Sequence, residues 1–293
     1  MKKIILFGAD GFIGMNIRSY FESQGKYKLV CLNKNDCDLL RISAVKDVIR
    51  KHQPHFIINA AHYGGVTSQI SFTKKNFFNN ISMCSNIVHA SALSQSLIFL
   101  LHLGSSLEYD QTDKKVHEKI PLNPYSYYAT VKATTSLLFE HLAREKKIPY
   151  VLMRPFNLYC EHNIRSVIYY IITTILGKKK VVLTKGEQVR DFLYIGDFSQ
   201  ILHGFIDSHD KVEINSVYNI GSGKPSKLSS IFSVIFSLMK YKQKFTIREY
   251  PENEYWYQIA DITKLKRVVP SIKLTSLPVG IKKTIDWIQN ENA

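Results

Sequence analysis

Lys3-Ile4-Ile5-Leu6-Phe7-Gly8-Ala9-Asp10-Gly11-Phe12-Ile13-Gly14 begins as a short apolar run and breaks into three glycines spaced by three. Such a run, followed at once by glycine and then by an amphipathic stretch, predicts a buried strand Ile4–Phe7, a tight turn and a helix Phe12–Gln24. Glycines at such a turn let a pyrophosphate come up to main-chain N–H groups at the positive end of the helix. The spacing is G-x-x-G-x-x-G, one residue longer than G-x-G-x-x-G. Its place straight after the first strand makes Gly8, Asp10, Gly11, Phe12, Ile13 and Gly14 the expected seat of a dinucleotide.

Outward from this turn the rhythm repeats. Leu29–Leu32, Phe56–Asn59, Ile98–Leu101 and Tyr150–Met153 read as further buried strands, with helices expected at Ala44–His52, Phe77–Ser94 and Tyr125–Glu145. Strands apolar throughout that alternate with helices belong to a parallel sheet covered on both faces. The expected fold class is α/β, a Rossmann-type doubly wound parallel sheet with a smaller C-terminal α/β domain that binds substrate. Beyond Arg154-Pro155 the alternation loosens, and helices are expected at Val167–Leu176, Leu228–Met239 and Leu277–Gln289. The expected division is 1–160 and 192–221 for the nucleotide-binding domain, 161–191 and 222–293 for the other, with a cleft between them.

Composition narrows the class. The 293 residues are 45% hydrophobic and 22% charged, enough to bury a core without staples and far from a disordered chain. Cys31, Cys37, Cys84 and Cys160 have no paired spacing, so reduced thiols are expected, with neither disulfides nor a metal. His52, His55, His89, His102, His117, His141, His203 and His209 are scattered, and are expected at the surface or satisfied inside. Met1-Lys2-Lys3 imitates the opening of a signal peptide, but Gly8, Asp10 and Gly11 cut the apolar run short, and later runs are too short to cross a bilayer. A cytoplasmic protein without membrane contact is expected. The net charge of +15 attracts anions, and Lys178-Lys179-Lys180 with Lys185 form either a steering patch or a solvated turn.

Two further places carry chemistry. At Leu32-Asn33-Lys34, where the second strand ends, the acid that would bind an adenosine ribose is missing and Lys34 suits a 2′-phosphate, so NADP (as NADPH) is preferred to NAD. Asn33, Asp38 and Leu39 are expected around the same end of the cofactor; Asp36 or Asp38 reverses the preference if the strand runs longer. Tyr128-Ala129-Thr130-Val131-Lys132 sets a phenol and an ammonium on one helical face. The ammonium is expected to lower the phenol pKa and ready Tyr128 for proton transfer near neutral pH. Gly104-Ser105-Ser106 ends the preceding strand, where such sheets bind their ligands, and a hydroxyl there can hydrogen-bond a reacting carbonyl.

On these residues the chain resembles the extended short-chain dehydrogenase/reductase family, in particular its nucleotide-sugar-modifying members, over nearly its whole length. Three further segments carry the likeness: Asn59-Ala60-Ala61-His62-Tyr63-Gly64-Gly65, Arg154-Pro155-Phe156-Asn157-Leu158-Tyr159 and Arg190-Asp191-Phe192-Leu193-Tyr194-Ile195. The resemblance implies a catalytic set of Ser105, Tyr128 and Lys132, with the last two also touching the cofactor. It implies that Ala60, Ala61 and Phe156 lie along the cofactor, and that Ser105, Ser106, Asn157 and Arg190 bind substrate, the latter two at its diphosphate. Gly64-Gly65 and Gly104-Ser105-Ser106 are similar to GDP-fucose synthases and GDP-deoxyheptose reductases. Gly186 to Phe192, Tyr218 to Gly223 and Asn253-Glu254 are similar to CDP-abequose and CDP-paratose synthases.

The implied activity is NADPH-dependent reduction at C4 of a nucleotide-diphosphate 4-keto-6-deoxy sugar, for deoxysugars of surface polysaccharide. The implied assembly is a homodimer joined through the helices at 77–94 and 125–145, with no nucleic-acid partner. Departures from the pattern bear on the reaction. Ser106 and Leu107 follow the catalytic hydroxyl where 4,6-dehydratases carry two acids, and Leu107 stands where fucose synthases carry an epimerising cysteine, His162 being a nearby histidine. Asp110 and Cys160-Glu161 replace glycines and a proline. Glu108 is open to a part in the site but is expected to cap a helix or lie at the surface, and one residue of slippage exchanges Ser105 with Ser106. Epimerisation at C4, or at C3 and C5, is the other enzymatic expectation; a non-catalytic dinucleotide-sensing regulator is the expectation of another class.

Overall fold

The structure is a computed structural model that describes residues 1–64, 73–161, 163, 166–242, 244–251 and 254–291; Gly65, His162 and Asn253 lie outside the described residues. The first half alternates strictly: β1 (Lys3–Phe7), α1 (Phe12–Gln24), β2 (Lys28–Leu32), α2 (Ile42–His52), β3 (Phe56–Asn59), α3 (Lys74–Ser91), β4 (Phe99–Leu103), α4 (Tyr127–Glu145) and β5 (Tyr150–Pro155). The second half runs β6 (Leu158–Tyr159), α5 (Val167–Leu176), β7 (Val182–Leu183), β8 (Val189–Arg190), β9 (Leu193–Tyr194), α6 (Ile195–Asp207) and β10 (Ser216–Ile220). It ends with β11 (Ser226–Lys227), α7 (Leu228–Leu238), β12 (Thr246–Ile247), β13 (Tyr257–Gln258), α8 (Thr263–Val268) and α9 (Leu277–Glu291).

Six parallel strands form the main sheet in the order β2-β1-β3-β4-β5-β10. Its two faces follow from alternation along each strand. Ile4 and Leu6 of β1, with Phe56 and Ile58 of β3, bury against Ile17 and Phe21 of α1 and Phe198, Ile201 and Leu202 of α6. Ile5 and Phe7, with Ile57, turn the other way onto Val45 and Ile49 of α2, Ile87 and Val88 of α3 and Phe139 of α4. A third cluster lies apart: Ile168, Ile171 and Ile172 of α5 pack with Ile231 and Ile235 of α7 and Ile281, Ile285 and Ile288 of α9. Beside it are two pairs, β7 with β12 and β6 with β9, and a three-stranded sheet in which β8 sits between β11 and β13.

Chain direction across the sheet decides where a ligand goes. From β1 the chain moves outward to β2, then crosses back to β3, so the order reverses between β1 and β3, and a crevice opens at the carboxyl ends of those strands. Several boundaries differ from expectation for local reasons. The helix expected from Tyr125 starts at Tyr127 because the Ser126 hydroxyl accepts the Ala129 N–H, and the one expected from Phe77 starts at Lys74 because Thr73 caps it. The strand expected over Ile98–Leu101 runs to Leu103. Neither α6 nor β10 was expected: α6 is buried over most of its surface, and β10 carries a buried polar residue, Asn219. No helix among the described residues is long and apolar enough to cross a membrane.

Candidate active site

The glycine turn follows β1 into α1 at the switch point. Gly8 has φ +79°, and a Cβ there would lie 2.7 Å from the main chain of Ala61, so β1 and the end of β3 meet with no room for a side chain. Gly14 is as constrained, since its Cβ would fall 2.1 Å from the Gly8 carbonyl oxygen. Gly11 is exposed and caps α1 without a side chain, so the first N–H groups of the helix face the crevice unshielded. On the opposite wall, Asn59 Oδ1 accepts the Ala61 N–H at 3.1 Å, while Ala60 N–H donates to the Phe7 carbonyl. These features fit a dinucleotide: a cradle held open by glycine, a bare helix start and a small-residue wall.

At the end of β2, Asn33 N–H donates to Asp36 Oδ2 at 3.0 Å, and Asn33 Oδ1 accepts from the N–H groups of Asn35 and Asp36. The turn brings the Asp36 carboxylate back to the strand end and leaves Lys34 exposed. Asp38 Oδ1 accepts the Leu40 N–H, and the half-buried Leu39 is fixed by Asn86, whose amide donates to its carbonyl. Phe156 lies wholly in the core with its N–H on the Ile220 carbonyl.

The structure brings Ser105, Tyr128 and Lys132 together. Ser105 ends the loop after β4 and caps a 3-10 turn, Ser106–Glu108, its hydroxyl accepting the Leu107 N–H at 3.2 Å; that hydroxyl also lies near enough to the Tyr128 phenol to oppose the rise of its pKa. Ser106 is buried, and its carbonyl accepts from Gln258 Nε2 at 3.0 Å. The hydroxyl that meets Tyr128 is thus that of Ser105. The Lys132 ammonium donates to the Leu103 carbonyl at 2.8 Å. Burial lowers its pKa to about 8, against the opposing pull of Glu108. Tyr128 differs from expectation. Burial, and after it the Glu108 carboxylate, raise the phenol well above its ordinary value, and the Ser105 contact opposes them. Lys132 turns to a carbonyl instead, so the phenol is held protonated. His62 lies edge-on to Tyr128 with ring centroids 5.2 Å apart; burial, aided by the Lys132 charge, lowers its pKa to about 2 and keeps it neutral.

Asn157 and Arg190 stand on the other side of the catalytic turn, joined through β13. Asn157 Nδ2 donates to the Asp191 carbonyl at 3.3 Å, and Gln258 Oε1 lies 3.5 Å from the same amide. Arg190 is buried and pairs with Glu254 at 2.6 Å, which also accepts from Gln188 Nε2. Tyr255 donates its hydroxyl to the Leu107 carbonyl at 3.1 Å. Tyr255, with Tyr169, Tyr170, Trp256 and Tyr257, reads from the sequence as either a base-stacking wall or core, and neither its contact with the catalytic turn nor Gln258 is legible there, because only the pairing of β13 with β8 brings them here. Glu108 is a correction in part: it caps as expected, but it is wholly buried and pairs with Arg154 at 2.7 Å. His102 is an interior histidine satisfied on one side: its Nδ1 accepts from Asn59 at 2.9 Å and its ring stacks on Phe139, while Nε2 has no partner among the described residues.

The fold and the turn at its switch point define a Rossmann-type nucleotide-binding α/β protein. A model of the NAD dependent epimerase/dehydratase family matches residues 4–221, and the chain belongs to that family. It is 30% identical over 308 residues to GDP-L-colitose synthase of Yersinia pseudotuberculosis, covering 99% of this chain and 98% of that one. It is 24% identical to GDP-L-fucose synthase of Escherichia coli K12, covering 99% and 98%. Among solved structures, the UDP-glucose 4-epimerase of Thermotoga maritima superposes with a TM-score of 0.86 at 20% identity, over 99% of this chain and 100% of that one, a likeness of fold.

Proposed function

We propose that this protein, a nucleotide-sugar-modifying enzyme, uses NADPH to reduce C4 of a nucleotide-diphosphate 4-keto-6-deoxy sugar. The observation that carries it is the convergence of Tyr128, the Ser105 hydroxyl and a buried Lys132 ammonium one helical turn on, beside a glycine cradle at the switch point. Ketone reduction needs a proton donor at the carbonyl oxygen, and a protonated phenol is one. When bound, the cofactor supplies a hydride. Gly8, Asp10, Gly11, Phe12, Ile13 and Gly14 would hold its pyrophosphate, Ala60 and Ala61 its middle, and Asn33, Lys34, Asp38 and Leu39 its adenosine end; Phe156, expected beside the cofactor, is instead wholly buried and offers it no surface. Lys132 would hold the nicotinamide ribose. Ser105, with Ser106 beside it, donates a hydrogen bond to the sugar O4; Tyr128 gives its proton to that oxygen, and the charge on Lys132 stabilises the phenolate left behind. Asn157 and Arg190 would bind the diphosphate, with Glu254 yielding the guanidinium. The division into 1–160 and 192–221 against 161–191 and 222–293, a homodimer through α3 and α4, and a cytoplasmic location belong to the same proposal.

A second reading, an epimerase that also reduces, draws support from relatives in Arabidopsis thaliana named as trifunctional 4,6-dehydratase, 3,5-epimerase and reductase, 47% of whose length this chain covers. Against it, Leu107 supplies neither acid nor thiol two residues after Ser105. The test is NADPH oxidation with CDP-, GDP- and dTDP-linked 4-keto-6-deoxy sugars, repeated with NADH because Asp36 lies near the end of β2. Turnover is expected, and Tyr128→Phe is expected to lower kcat by about 10²–10⁴-fold with cofactor binding kept. Cofactor binding without oxidation on any of these substrates would sink the reductase.

A further inference from the structure

Glu108 carries a carboxylate into the core directly behind Ser105 and Lys132. We propose that it is a positioning residue for the reduction: it holds the turn from Gly104 to Tyr109 so that the Ser105 hydroxyl faces Tyr128, and it sets a negative charge behind Lys132. This rests on the reductase assignment above.

Both oxygens of the carboxylate are engaged. Oε1 accepts the Ser105 N–H at 2.7 Å and the Ser136 hydroxyl at 3.0 Å, and Oε2 accepts Arg154 Nε at 2.7 Å. Arg154 lies on the Tyr109 ring, 4.5 Å from its centroid, and the Tyr109 hydroxyl donates to Asn219 Oδ1 at 2.8 Å. One side chain thereby ties the catalytic turn to α4, through Ser136, and to β5 and β10. Tyr128, Lys132 and Ser136 succeed one another at four-residue steps, so the face of α4 that carries the phenol and the ammonium is also the face that Glu108 grips. Gly104 is a glycine for the same reason: a Cβ there would lie 2.5 Å from Glu108 Oε1 and 3.1 Å from Ser136 Oγ. A carboxylate serving only as a turn cap has no need of burial, an arginine and a missing Cβ.

The groups that face Tyr128 and Lys132 are Glu108 from the turn, Cys84 from α3, His102 from β4 and His62 from the loop after β3, with Arg154 of β5 behind Glu108. Burial keeps His62 and His102 neutral and holds Cys84 as a thiol. The charges are therefore Lys132, Glu108 and Arg154. Glu108 strengthens proton binding by both Lys132 and Tyr128, which is the state a reductase starts from.

The test uses Glu108→Gln, which keeps an oxygen for the Ser105 N–H and removes the charge, and Glu108→Ala, which removes both. Three readouts are taken: NADPH affinity, kcat and KM with their pH profile, and hydrogen exchange of the amides from Ser105 to Tyr109. NADPH affinity is expected to hold in both variants. Glu108→Gln should lower kcat more than it raises KM and move the alkaline limb of the profile to lower pH, an effect that lost packing alone does not produce. Glu108→Ala should lower kcat by about 10²-fold and release exchange in the turn while β1 to β3 stay protected. Should Glu108→Gln fail to fold, Glu108→Met/Arg154→Met, which leaves no unpaired charge, takes its place with the same readouts. An unchanged limb and kcat in Glu108→Gln, or a turn still protected in Glu108→Ala, would overturn the proposal. If the wild type oxidises no NADPH, the reductase assignment falls, and the exchange measurement still decides whether Glu108 holds the turn.

Discussion

Lys132 is a buried ammonium that donates to one carbonyl, and its burial sets how the site responds to pH. Burial disfavours its charge, so it loses its proton at about pH 8 in the free protein, well before an exposed lysine does. Tyr128, pushed the other way, keeps its proton across the same range. If the ammonium is needed, kcat/KM is expected to be flat near neutrality and to fall above about pH 8, a limb that belongs to Lys132 and not to the phenol. A limb that disappears in Lys132→Met together with most of the activity identifies the group; a limb unchanged by that substitution assigns it elsewhere. Tyr128 and Lys132 were legible because helical spacing alone puts them on one face, and Ser105 because it ends a strand. The raised phenol and the burial of Glu108 were not, since the first depends on the depth of its burial and on Glu108, and the second on Arg154, 46 residues from Glu108 in the chain.

The strand, turn and helix from Lys3 to Gln24 work as one element. Gly8 and Gly14 are held by close approach, and only Gly11 is free of contact under 3 Å. Gly14→Ala is therefore expected to push α1 off the Gly8 carbonyl, costing about 1–3 kcal/mol of stability and weakening dinucleotide binding, both read from thermal melts with and without NADPH. Gly11→Ala should leave stability nearly unchanged and weaken only binding, and equal effects of the two would contradict this division. The alternation of the first half was readable because parallel strands buried on both faces are apolar throughout. β13 was not, being two residues long and defined by its partner β8 instead of by hydropathy. With it were lost Gln258 and the contact of Tyr255 with the catalytic turn.

Across the molecule, the glycine turn, the end of β3 and the catalytic turn after β4 all open at the carboxyl ends of neighbouring strands, while the α5–α7–α9 cluster and its short strands stand to one side. Phe78 of α3 and Leu137 of α4 are more than half exposed. A dimer through these helices is expected to bury them, so the wild type should sediment as a dimer and Leu137→Asp as a monomer; a monomeric wild type contradicts that assembly. The doubly wound parallel character of the main sheet followed from the sequence, whereas its sixth strand, β10, and the nucleotide base to be bound did not, because the loops that would meet the base are shaped by contacts between distant segments. The central claim, hydride delivery to C4 without epimerisation, is tested most directly by following hydrogen into the product. With 4-deuterated NADPH in ordinary water, one deuterium should appear at C4; with unlabelled NADPH in heavy water, no carbon-bound deuterium should appear beyond a control without enzyme. Solvent deuterium at C3 or C5, or no cofactor hydrogen at C4, would contradict the account.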